Sequence, residues 1–114
     1  MDAETISWAD FERVSLRVGT VVSAHLNPKA RVPAIVLEID FGPPLGTKTS
    51  SARITRNYSP GALVGRQVVA VTNLAPKRIA GVRSEVLVLG AVCEAQGVVL
   101  LEPSLAVANG SPIG

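Results

Sequence analysis

The chain has 114 residues, a formal net charge of +2 and a hydrophobic fraction of 47%. That length suits one domain with one modest core. The composition excludes a disordered chain and a disulfide-stapled scaffold, since Cys93 is the only cysteine and agrees with a reducing compartment. No run of about 18 apolar residues is present to span a membrane. The acidic start Met1-Asp2-Ala3-Glu4 lacks the features of a signal peptide, so a cytoplasmic location is expected.

Taken in chain order, Ser7-Trp8-Ala9-Asp10 reads as a helix start. Ser7 caps the amide three residues on, Asp10 favours the positive helix end, and Trp8, Phe11 and Val14 share one side as a helix anchor. Arg17 to Ala24 is Val-rich and strand-like. Ile35, Leu37, Ile39 and Phe41 alternate with Val36, Glu38 and Asp40, the period of a strand with one buried face. On its outer face Glu38 and Asp40 read as ordinary solvated carboxylates.

Gly42-Pro43-Pro44-Leu45-Gly46 is a turn, because its prolines lack amide donors for a paired strand. Thr47 to Thr55 returns as the next strand. Pro60 opens one helical turn after Ser59. Gln67–Thr72, Glu85–Val92 and Val98–Leu101 supply three more strands, with Gly97 and Pro103 as punctuation. Five or six short strands, regular turns and little helix predict a small all-β barrel. A helical turn between the third and fourth main strands fits a five-stranded OB barrel. The expected organisation is one domain over 1–114, with an N-terminal extension (1–14) and a C-terminal tail (103–114).

Charge is unevenly placed. Between Phe41 and Ser84 lie Lys48, Arg53, Arg56, Arg66, Lys77, Arg78 and Arg83, with no Asp or Glu. Such a block attracts phosphates or other acidic partners, unless it is merely a solvated basic face. Within it, Pro76-Lys77-Arg78-Ile79-Ala80-Gly81-Val82-Arg83 reads as a loop presenting three cations, and arginine's planar fork suits phosphate or carboxylate. Hydroxyls of Thr49-Ser50-Ser51 on a barrel face bond phosphates or peptide backbone, or simply serve a half-exposed strand.

Catalysis has no supporting residues. His25 stands at a strand end with no Cys or second His near it in sequence, so no metal site or cofactor is expected. Cys93 continues an apolar run and reads as a small buried hydrophobe. The aromatics are Trp8, Phe11, Phe41 and Tyr58. Phe41 reads as core and Tyr58 as a packing residue, which disfavours base-by-base reading of single strands and leaves backbone and shape recognition of folded RNA.

Several motifs then fall in one order: Arg17-Val18-Gly19-Thr20-Val21, Pro28-Lys29-Ala30-Arg31-Val32-Pro33-Ala34, Ser50-Ser51-Ala52-Arg53-Ile54-Thr55, Tyr58-Ser59-Pro60, Leu63-Val64-Gly65-Arg66-Gln67-Val68-Val69, Asn73-Leu74-Ala75-Pro76-Lys77-Arg78 and Gly81-Val82-Arg83-Ser84-Glu85. Over nearly the whole chain this resembles the tRNA-binding domain at the C-terminus of some methionyl-tRNA synthetases and in endothelial monocyte-activating polypeptide. Within that superfamily it is most similar to the CsaA-type export chaperones. Ala30-Arg31-Val32-Pro33 stands where the synthetases carry an Ala-Asp-Lys-Leu type segment. Ser50-Ser51 replaces their Ser-Gly pair, and Ser84-Glu85-Val86-Leu87 replaces Ser-x-Gly-Met.

The resemblance implies an OB fold, a homodimer and a chaperone for unfolded or pre-export polypeptides in protein secretion. The alternative it leaves open is a structure-selective tRNA-binding protein. Together with the basic block it nominates Arg31, Lys48, Ser50, Ser51, Arg53, Arg56, Lys77, Arg78, Arg83 and Ser84 for ligand binding, peptide or RNA. It further implies that the apolar ends, with Ile6, Trp8, Phe11, Leu105 and Val107, build the dimer; folding back onto the barrel is the other reading of those ends.

Overall fold

The structure is a computed structural model that describes residues 3–114. Its elements in order are α1 (Trp8–Glu12), β1 (Leu16–Leu26), β2 (Ile35–Asp40), β3 (Thr47–Ala52), α2 (Pro60–Leu63), β4 (Gln67–Val71), β5 (Lys77–Ile79), β6 (Val82–Ser84), β7 (Leu87–Val88), β8 (Gly90–Cys93) and β9 (Gly97–Leu100). The main sheet runs β3-β2-β1-β4-β7 and is antiparallel throughout. It curls until β3 meets the approach to β7, where the Glu85 and Val86 amides both donate to the Thr49 carbonyl, at 2.8 and 3.3 Å. The result is the small, nearly closed five-stranded barrel that the strand pattern predicted.

The alternation in β2 is what fills the barrel. Ile35, Leu37, Ile39 and Phe41 are fully buried, and Val18, Val21, Val68 and Leu63 of α2 join them. Each such side chain contributes roughly 1.5–3 kcal/mol over its exposed state. At Gly19 the β1 backbone crosses this core so closely that a Cβ would lie 2.5 Å from Ile39 and 2.8 Å from Phe41. On the opposite face of β2 the carboxylates are structural. Glu38 Oε2 accepts the Thr49 hydroxyl at 3.0 Å, and Asp40 Oδ1 accepts the Gly42 amide at 2.8 Å.

Four local expectations change. First, α1 has the full capping box between Ser7 and Asp10, but it buries nothing. Trp8 is 86% and Phe11 43% exposed, so they do not anchor the helix to their own barrel. Second, the cationic loop is a β-hairpin: β5 pairs with β6 across Ala80-Gly81, whose φ values of 46 and 84 both lie in the left-handed region. That pair of angles is the twist-matched hairpin turn. Third, the 85–92 strand divides at Leu89: its amide continues the β7 ladder to the Val69 carbonyl, its carbonyl accepts the Leu101 amide, and β8 goes on to pair with β9. Fourth, Cys93 is only partly buried.

The tail after β9 does fold back. Val18 N–H donates to the Ser111 carbonyl at 3.0 Å, Gly110 N–H to the Val18 carbonyl at 2.7 Å, and Ile113 N–H to the Leu16 carbonyl at 3.0 Å. It runs beside the first half of β1, on the side that β2 occupies from Thr20 onward. Side chains hold it there: Thr20 Oγ1 donates to Asn109 Oδ1 at 2.7 Å, and Gln67 Nε2 to the Val107 carbonyl at 2.7 Å. Leu105 remains 78% exposed.

Candidate ligand cleft

The β5–β6 hairpin packs beside β3 through β6. The Asn27 side chain, 8% exposed, fixes its turn by donating to the Ala80 carbonyl at 3.3 Å, while its Oδ1 accepts the Lys29 amide at 3.0 Å. One asparagine thus ties the β1–β2 loop to the hairpin tip. At the hairpin base the Ser84 hydroxyl accepts the Ser51 amide at 3.0 Å. Between the hairpin, the end of β3 and β8 lies a cleft of about 1060 Å³. Val32, Ile54, Ile79, Leu87, Val88, Val92 and Val98 give it apolar walls. Lys29, Arg31, Arg53, Lys77 and Arg78 stand among them.

The nominated residues separate into two groups. Arg31, Ser50, Ser51, Arg53, Lys77 and Arg78 line the cleft, with Ser50 almost fully buried in its wall. Lys48, Arg83, Arg56 and Ser84 do not line it and are engaged elsewhere. Lys48 and Arg83 lie 3.9 and 3.8 Å from the Glu85 carboxylate. Arg56 donates to the Ala95 carbonyl at 2.6 Å and so grips the β8–β9 turn. Neighbouring Asn57 bonds the Gln96 and Val98 carbonyls. Tyr58 packs against the core, and its hydroxyl accepts the Leu100 amide at 2.9 Å.

Lys29 is the cation that sequence reading left out. Its signal was available, since it sits two residues before Arg31 in the same Pro28–Pro33 loop. Among the described residues, no carboxylate lies within ion-pair distance of Lys29, Arg31, Arg53, Lys77 or Arg78. Arg78 and Arg83 are moreover direct cross-strand partners in the hairpin. Like charges so placed repel, and a bound anion relieves the repulsion. The arrangement can therefore hold a ligand that offers apolar surface and negative charge together.

A second, smaller groove of about 430 Å³ lies between α1 and the tail, lined by Trp8, Phe11, Val14, Leu16 and Ile113. Of the residues nominated for a dimer, Ile6, Trp8, Phe11, Leu105 and Val107 are all exposed in the single chain. His25 is exposed at the end of β1. Among the described residues no group of three or more His, Cys, Asp or Glu is placed to hold a metal ion. Among the described residues no helix is long and apolar enough to cross a membrane.

Residues 16–112 match the family model described as "Putative tRNA binding domain". The fold is that of the chaperone CsaA from Bacillus anthracis str. Ames, with 54% identity, a TM-score of 0.91, and coverage of 97% of this chain and all of that one. It is likewise that of the CsaA chaperone protein from Picrophilus torridus, with 41% identity, a TM-score of 0.90, and coverage of 96% and 100%. The methionine–tRNA ligase of Porphyromonas gingivalis (strain ATCC 33277) is 36% identical over 111 residues, 97% of this chain. The chain spans only 16% of that ligase's length. From its barrel, its motifs and these matches, the chain belongs to the tRNA-binding-domain family, in its CsaA-type branch.

Proposed function

We propose that this protein is a chaperone that binds unfolded or pre-export polypeptides in the cleft under the β5–β6 hairpin. The observation that carries the reading is the pairing of apolar walls with five cations that lack acidic partners among the described residues. Apolar side chains of an unfolded segment are buried against Val32, Ile54 and Val88, and its carboxylates meet Arg31, Arg53, Lys77 and Arg78. Lys48, Arg83 and Ser84 act behind this surface, through Glu85 and the hairpin base. Release follows from affinity alone. The protein works in the cytoplasm as a homodimer of one-domain chains, joined through Trp8, Phe11 and the exposed apolar residues near the tail.

The second reading is structure-selective binding of tRNA by the same cations, favoured by the family match and by the opposed Arg78 and Arg83. Titration of a reduced and alkylated unfolded protein, and of tRNA, at two salt concentrations separates them. Burial of apolar polypeptide gives a clearly negative heat-capacity change and a shallow salt dependence. An RNA held by about four phosphate contacts weakens roughly a hundredfold between 50 and 200 mM salt. Tight tRNA binding with no measurable binding of the unfolded chain would overturn the chaperone reading.

A further inference from the structure

β8 ends the chain of paired strands on one side of the cleft. Among the described residues it pairs only with β9. The Leu101 amide donates to the Leu89 carbonyl, while the Leu89 amide goes to Val69, so this single bond at the end of the ladder sets the phase of β8 against β9. Antiparallel pairs alternate between bonded and non-bonded, so Ala91 with Val99 and Cys93 with Gly97 are bonded as well. Gly90 and Val92 then turn their N–H and C=O groups away from β9. The far edge of β9 confirms the phase. There the Val98 carbonyl and the Leu100 amide point outward and are taken by Asn57 and Tyr58. Nothing among the described residues does the same for Gly90 and Val92. Both residues line the cleft, and the Val92 side chain is 87% exposed.

We infer that the polypeptide bound in the cleft is recognised by its main chain, as an extended segment added edge-on to β8. This rests on the polypeptide reading above and says how that ligand is held. Strand addition lets backbone hydrogen bonds supply affinity for many sequences, while alternate side chains are read by the walls. The walls here suit apolar side chains at Ile54 and Val88 and carboxylates at Arg53, Lys77 and Arg78. The occupant is therefore an extended segment in which apolar and acidic residues are mixed. An open edge is normally a liability that proteins cover or charge. This one is flanked by cations, which keep two copies of the edge apart and favour an acidic guest.

The test uses the full-length protein and a synthetic peptide of alternating valine and glutamate. Amide hydrogen exchange is followed at Gly90 and Val92 with and without peptide. Val92→Pro is the matching variant, since it removes an outward amide and leaves the β8–β9 bonds intact. Protection of the Val92 amide on binding, with about a tenfold loss of peptide affinity in Val92→Pro at unchanged melting temperature, supports the inference. Protection in the wild type alone decides the matter if the variant does not fold. Peptide binding with both amides still exchanging freely refutes strand addition and leaves the polypeptide reading standing. Failure to bind the peptide, with tRNA bound at the same cations, removes both. Protection that rises with protein concentration in the absence of peptide assigns the edge to a second copy of the chain and overturns the inference.

Discussion

Ser84 Oγ accepts the backbone amide of Ser51 at 3.0 Å, so the β5–β6 hairpin is joined to the barrel by a side chain where a strand ladder would be expected. Thr49 shows the same substitution one step away, its amide donating to Glu85 Oε1 at 3.1 Å. Closure of the barrel on the cleft side thus adds two consecutive polar side chains to the backbone bonds that the Thr49 carbonyl accepts. Ser84→Ala leaves the Ser51 amide without its partner and is expected to lower stability by about 1 kcal/mol, seen as a lower urea midpoint at unchanged slope.

Two arginines of the basic block should behave differently. Arg56 serves the β8–β9 turn, whereas Arg78 lines the cleft. Arg56→Ala is expected to destabilise by roughly 1 kcal/mol, and to leave the salt slope of tRNA binding unchanged. Arg78→Ala is expected to flatten that slope by about one unit with little change in melting. Equal slopes for the two variants would show that the cleft does not order the charges.

The hairpin tip carries a conformational cost. Ala80 has φ 46, where an L-residue with a Cβ loses roughly 1–2 kcal/mol. Ala80→Gly removes that cost but frees the unfolded chain by about 0.5–1 kcal/mol. The expected net result is a stabilisation of around 0.5 kcal/mol, readable as a small rise in melting temperature.

Self-association is tested through Trp8. Light scattering at micromolar concentration is expected to give twice the 11.8 kDa chain mass. A two-fold interface of ordinary size buries about 1,600 Å² in all, and a central tryptophan carries a large share of such an interface. Trp8→Ala is therefore expected to move the population toward monomer. A monomeric wild type at that concentration would refute the dimer.

The barrel was legible because its signals are local and periodic. Ile35, Leu37, Ile39 and Phe41 announce their strand through a period of two, and Ser7 with Asp10 announces α1 within four residues. The hairpin at Lys77–Ser84 was not legible as strands. Three residues on each side are too few for a period, and Pro76 and Gly81 read as loop punctuation. The division at Leu89 and the tail's place beside β1 depend on partners that are distant in the chain, Val69 and Val18, which no local propensity reports. The same distance hid the charge balance. Lys48 looked unopposed until the fold brought it Glu85. Within the candidate site, cationic residue types could be named in advance, but which of them face open space could not.

The tail's bonds to Leu16 and Val18 give the molecule a removable stave. A chain cut after residue 107 keeps the barrel core but bares one side of β1, with the Val18 amide and carbonyl unmatched. A free peptide copying residues 108–114 has the groups to dock there, including the Asn109 side chain for Thr20 and the Gly110 carbonyl for Arg17. The two pieces are expected to reassemble on mixing, with the melting temperature rising as peptide is added. The protein would then serve as a two-part reporter, its halves signalling each other's presence by completing one wall.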